Sequence, residues 1–148
     1  MIETNITAGT PAQAETVVRW LKKEWAGDPD AGGFYHNRSI IRQAARSGEM
    51  TCLYASRTIV GFSVFTLGQS RAKIDIFEIR PGYRGRGFGR YLAAHILRML
   101  LSHGAARIEV ECAPRSSEPF WRKLGFVDHE ERPSGWGNPK LVLASQAA

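Results

Sequence analysis

The sequence predicts one α/β domain with a mixed sheet (α+β in some schemes), its elements ordered β-α-α-β-β-β-α-β-α-β-β over residues 1–148. Three observations predict it. Two strand-like runs, Met50 to Ala55 and Thr58 to Leu67, are separated only by Ser56-Arg57, which reads as a hairpin. A glycine-rich stretch then joins a strand to a strongly amphipathic helix. Further helix and strand patterns alternate after it, and hairpin-linked strands rule out a purely parallel sheet.

Ile2 to Thr7 reads as a short first strand. Thr10-Pro11-Ala12-Gln13 starts a helix: Thr10 caps, Pro11 suits the first position, and Gln13 completes a capping box. Ala14, Val17, Val18, Leu21 and Trp25 follow at helical spacing, and Gly27 to Gly33 forms a loop. A second helix is expected from about Asn37 to Ser47, with Ile40, Ile41, Ala44 and Ala45 inward and Gly48 at its end. After the hairpin, Lys73 to Ile79 is a strand that Pro81-Gly82 stops. Phe88, Tyr91, Leu92, His95, Ile96, Met99 and Leu100 give the next helix its apolar stripe, and His103-Gly104 closes it. Arg107 to Cys112 alternates, with Ile108, Val110 and Cys112 on one face. Ser116-Ser117-Glu118-Pro119 leads a short helix through Phe120 to Leu124, with Ser116 and Ser117 as its expected caps. Phe126-Val127 and Leu141 to Leu143 are the closing strands, with a loop from Pro133 to Pro139 between them.

Composition narrows the function classes. Hydrophobic residues make up 43% and charged residues 23%, as in ordinary globular chains. No stretch reaches the roughly 18 apolar residues that span a bilayer. The N-terminus lacks a basic region followed by an apolar run, so no secretory signal is expected. Cys52 and Cys112 make no disulfide framework and have no zinc-ligand spacing, so no metal is expected and a cytoplasmic location is. The net charge of +6 favours anionic partners. Arg80, Arg84, Arg86 and Arg90 crowd around the glycines, which points to a local phosphate site more than to a broad basic face.

The segment Arg84-Gly85-Arg86-Gly87-Phe88-Gly89 carries the chemistry. Glycines allow positive φ and close approach of a ligand. The helix that follows leaves its first amides unpaired at a partly positive end. Together they suit a pyrophosphate. The dinucleotide fingerprint fails because its third glycine would fall at Arg90, and the P-loop fails because no lysine follows. R-x-x-G-x-G fits, at Arg84, Gly87 and Gly89.

On these residues the chain resembles the GNAT acyltransferase superfamily. The likeness rests on Ile76 to Tyr83 leading into Arg84 to Gly89, on the helix from Arg90-Tyr91-Leu92, and on Phe120-Trp121-Arg122-Lys123-Leu124-Gly125-Phe126. It implies an N-acetyltransferase that passes acetyl from acetyl-CoA, its co-substrate, to a primary amine by direct attack in a ternary complex. Amides from Arg84 to Arg90 (Arg84, Gly85, Arg86, Gly87, Phe88, Gly89 and Arg90) would hold the pyrophosphate. The backbone of Phe77, Glu78 and Ile79 would pair with the pantetheine arm. In that fold two parallel strands splay around the thioester, here Lys73–Ile79 and Arg107–Cys112. Ser117 and Phe120 complete the expected cofactor contacts, with Pro114 where relatives often carry asparagine.

The family's usual thiol acid, a tyrosine, is replaced by Trp121, which only donates and does not titrate usefully. Trp121 reads as a core or cleft-wall aromatic. Asp75 and Glu111 are the candidate catalytic carboxylates, with Glu109 a further one. Alternation puts Asp75, Phe77 and Ile79 on one face of their strand and Glu78, read as structural, on the other. Cys112 reads as a buried, inert thiol. The acceptor is a small-molecule or peptide amine that no motif names. Trp25, Phe34, Tyr35 and Trp136 are candidates for an aromatic pocket. A homodimer stays open, and no membrane partner is expected. Two alternatives remain: a catalytically weak acyl-CoA-binding module and, less favoured, a basic nucleic-acid-binding domain that lacks a recognisable motif.

Overall fold

The computed structural model describes residues 3–31, 33–130 and 138–144. The element order matches the sequence reading. Strand β1 is Thr4–Ala8, helix α1 Pro11–Gly27, α2 Arg38–Ser47, β2 Met50–Ala55, β3 Thr58–Leu67 and β4 Arg71–Ile79. Helix α3 is Phe88–Ser102, β5 Arg107–Glu111, α4 Glu118–Lys123, β6 Val127–Asp128 and β7 Lys140–Ala144. The sheet order is β1-β2-β3-β4-β5-β7-β6. β1 with β2, β2 with β3, β5 with β7 and β6 with β7 are antiparallel, whereas β4 and β5 are parallel, so the sheet is mixed as expected. Among the described residues no helix is long and apolar enough to cross a membrane.

Contacts divide the chain into two compact units. The first comprises residues 1–65 and 76–96. Its first helix starts as its sequence dictates: Thr10 accepts from the Gln13 amide, and Gln13 answers at the Thr10 amide, 2.8 Å. Gln13 also donates to the Tyr54 hydroxyl at 2.8 Å, tying the start of α1 to β2. Ala14, Val17, Val18, Trp20 and Leu21 of α1 and Ile41, Ala44 and Ala45 of α2 pack on Met50, Cys52, Phe62, Val64 and Ile76. Trp20 meets Phe62 edge-on at 5.4 Å. Gly48 ends α2 in the left-handed region at φ 78°, which glycine adopts without strain. Gly61 on β3 has a different necessity. A Cβ there would lie 2.7 Å from Ile79 Cδ1 and 3.3 Å from the Glu78 carbonyl oxygen.

The second unit comprises residues 66–75 and 97–148. Arg71↔Arg107 through Ile74↔Val110 set the parallel register, and β7 pairs with the other edge of β5. Ile108, Val110, Cys112, Trp121, Phe126 and Leu141 are buried. Trp121 packs edge-on against Phe120 at 5.0 Å and Phe126 at 5.4 Å, the core role expected of it.

Several local expectations are corrected. Ile40 is 49% exposed and Tyr91 47%, and His95 is only half-buried. The inward stripe of α3 is Phe88, Leu92, Ala93, Ile96, Leu97 and Leu100, so small Ala93 faces in where Tyr91 was expected. Ser117 makes no cap bond to α4; its hydroxyl donates back to the Pro114 carbonyl at 2.7 Å. That bond serves the tight turn Arg115–Ser117 before the helix. Most of the Pro133–Pro139 loop, including Trp136, lies outside the described residues.

Candidate active site

The site is built at the tip of α3, within the first unit. β4 ends where the Arg80 amide donates to the Val60 carbonyl at 2.7 Å, and the Tyr83 amide closes a turn on Arg80 at 3.0 Å. Gly85 and Gly87 follow at φ 78° and 87°, a backbone that side-chain-bearing residues rarely adopt. Apart from the glycine and its two chain neighbours, no heavy atom lies within 4 Å of where a Cβ would stand at Gly82, Gly85 or Gly87. The loop therefore leaves open space on its surface. Gly89 lies in the first turn of α3.

The first helical bond runs from the Tyr91 amide to the Gly87 carbonyl at 3.1 Å. Among the described residues the amides of Gly85 to Arg90 meet no backbone carbonyl. Several donors thus point out of one glycine-opened helix end, where the helix dipole is positive. Such a tip suits an anion. Phe88, 7% exposed, anchors it to the core.

The arginines are arranged otherwise than their crowding suggests. Arg84 Nε donates to the Ile79 carbonyl at 2.8 Å, and its far end lies 3.8 Å from Glu24 and 3.9 Å from Glu78. The Arg80 guanidinium stands over the Trp20 ring at 5.6 Å, and that of Arg86 over Tyr83 at 5.6 Å. Arg90 is exposed. Three of the four cations therefore have partners within the protein.

Glu78, read from sequence as structural, is a buried carboxyl. It lies on the inner face of β4, 7% exposed, and accepts from Trp20 Nε1 at 3.0 Å. Burial pushes its carboxyl up to about 7, and the neighbouring Glu24 charge pushes the same way. Trp20 and Arg84 oppose this without cancelling it. Glu24 Oε2 is itself buried with no partner among the described residues. The available signal was an acidic residue on the buried side of an alternating strand.

The carboxylates singled out from sequence belong to the second unit. Asp75 is exposed and accepts from the Thr66 hydroxyl at 2.7 Å; Glu111 is exposed at the end of β5. The alternation of Asp75, Phe77 and Ile79 against Glu78 is as expected. Glu109 accepts from His129 at 2.6 Å, and that bond, with Arg71 and Arg107 nearby, holds its carboxyl below the usual range. It is committed to a structural network. Ser117 and Phe120 are half-buried in the second unit. Burial raises the Cys112 thiol to about 11, consistent with the inert reading. Trp25 meets Tyr35 at 5.5 Å and His36 at 5.7 Å, so part of the expected aromatic group assembles near the end of α1.

Residues 14–126 match the profile of the Acetyltransferase (GNAT) family. The chain belongs to this family. Among its GNAT relatives, a mycothiol acetyltransferase of Corynebacterium efficiens is 30% identical over 118 residues, 74% of this chain and 40% of that protein. A streptothricin acetyltransferase of Streptomyces lavendulae is 26% identical over 103 residues, 67% of this chain and 54% of that protein. The chain thus spans about half the length of these relatives. The PaiA N-acetyltransferase of Thermoplasma acidophilum, crystallised with coenzyme A, shares the GNAT fold. It has a TM-score of 0.72 at 16% identity, covering 97% of this chain and 99% of that one.

Proposed function

We propose that this GNAT protein is a cytoplasmic N-acetyltransferase that moves an acetyl group from acetyl-CoA to a primary amine in a ternary complex. The observation that carries the reading is the α3 tip: unpaired amides from Gly85 to Arg90 beside glycines with open space over them. Those amides would bind the diphosphate, with Arg86 and Arg90 adding positive charge. The PaiA neighbour, crystallised with coenzyme A, and the two relatives named as acetyltransferases support the same reading. The free cysteines Cys52 and Cys112 support the cytoplasmic part of it.

An amine acceptor arrives mostly as an ammonium and must lose a proton before it attacks the thioester carbonyl. We assign that proton to Glu78 in place of Asp75 and Glu111. A carboxylate held near 7 binds a proton far better than an ordinary one at neutral pH, and Trp20 fixes its orientation. The amine nitrogen then bonds to the acyl carbon as the carbon–sulfur bond breaks, and the nitrogen's second proton passes through water to the departing coenzyme A thiolate. Trp121, 3% exposed and packed between Phe120 and Phe126, supplies no acid.

That closed Trp121 also favours a second reading, an acyl-CoA-binding module with little turnover. Thiol release from acetyl-CoA with a panel of amines separates the two. Turnover with at least one amine, lost in Glu78→Gln, is the expected result. Cofactor binding with no thiol release above background for any amine would favour the binding module.

A further inference from the structure

Arg84 sits between two sites. Its Nε holds the Ile79 carbonyl at 2.8 Å, while its far end reaches 3.8 Å from Glu24 Oε1 and 3.9 Å from Glu78 Oε1. Its side chain is 56% exposed, so it stands at the border of the loop and the buried carboxylates. The groups that face Glu78 are few. From α1 come the Trp20 indole and the Glu24 carboxyl; from the loop comes Arg84; and Arg80 stands behind, over the Trp20 ring. Arg84 is thus the cation nearest to a pair of carboxyls that repel each other when both are ionised.

We propose that Arg84 couples cofactor binding to Glu78: a diphosphate at the α3 tip draws Arg84 away, and Glu78 then takes up a proton. The inference rests on the acyl-CoA reading above. A diphosphate offers Arg84 paired oxygens in place of two carboxylates at nearly 4 Å. Departure of Arg84 also frees the Ile79 carbonyl at the end of β4. Glu78 then holds its proton with no guanidinium competing for it. Its ionised share is then a stronger base toward the ammonium's proton.

The coupling has a direct readout. Glu78 is about half protonated at pH 7 in the free protein. Loss of an adjacent cation strengthens a carboxyl's hold on its proton by about tenfold, so the protonated share rises to about nine-tenths. Coenzyme A binding therefore takes up about 0.4 proton more in the wild type than in Arg84→Gln or Glu78→Gln. Since protons are taken up, affinity for coenzyme A falls as pH rises through 7, more steeply in the wild type than in either variant. Calorimetry of coenzyme A binding at pH 7, in two buffers of different ionisation enthalpy, measures the uptake. Protons bound by the ligand's own phosphates are common to all three proteins and cancel. Equal uptake in the wild type and both variants overturns the coupling and leaves the acyl-CoA reading standing. No binding of coenzyme A to the wild type overturns both.

Discussion

Replacing Glu78 by glutamine tests the reading of that residue in depth. The glutamine keeps the size of the side chain and can still accept from Trp20, but it cannot ionise. In the wild type the carboxyl moves from its ordinary 4.5 to about 7 on folding. The folded form therefore holds the proton more tightly, and the group's stabilising contribution is complete below about 4.5. It is lost as pH rises through 7, where a buried charge must form. A displacement of this size corresponds to about 3 kcal/mol. Urea unfolding of both proteins at pH 5 and pH 8 isolates this contribution, because other titrating groups are shared. The glutamine variant should gain on the wild type by about 2–3 kcal/mol between those pH values. Parallel pH profiles would refute the account of Glu78 as a carboxyl held neutral by burial.

Other consequences are simpler to read. Gly87→Val places a branched side chain at φ 87° and fills the open space at the α3 tip; coenzyme A affinity should fall at least tenfold, with about 1–2 kcal/mol lost in stability. Unchanged affinity would remove that loop from the cofactor site. Gly61→Ala forces a Cβ to within 2.7 Å of Ile79 Cδ1, and chemical denaturation should show a loss of about 1–3 kcal/mol. A neutral result there would mean that β4 can shift to make room. Cys112, fully buried and raised to about 11, should resist thiol reagents at pH 8 until the protein unfolds. Rapid labelling of the native protein at that position contradicts this.

Local chemistry made much of the fold legible. Thr10, Pro11 and Gln13 announce the first helix because a capping box is written within four residues. The hairpin of β2 and β3 was legible from two apolar runs and a two-residue gap, and the glycine loop from residues that only an unusual backbone requires. What stayed hidden depends on partners distant in sequence. Glu78 and Trp20 lie 58 positions apart, and no spacing rule joins them. Arg84 reads as a phosphate ligand in isolation, yet its guanidinium turns to Ile79, Glu24 and Glu78, because buried carboxylates attract the nearest cation. The α3 stripe was misplaced for a related reason. Tyr91 and Ala93 are both compatible with an amphipathic helix, and the space beneath the helix selects the small residue.

A crystal structure of the protein with coenzyme A tests the central claim most directly. Diphosphate oxygens should lie about 3 Å from amides between Gly85 and Arg90, with Arg84 drawn off the Ile79 carbonyl. A cofactor bound away from the α3 tip, or a tip left empty at saturating ligand, would contradict the assignment.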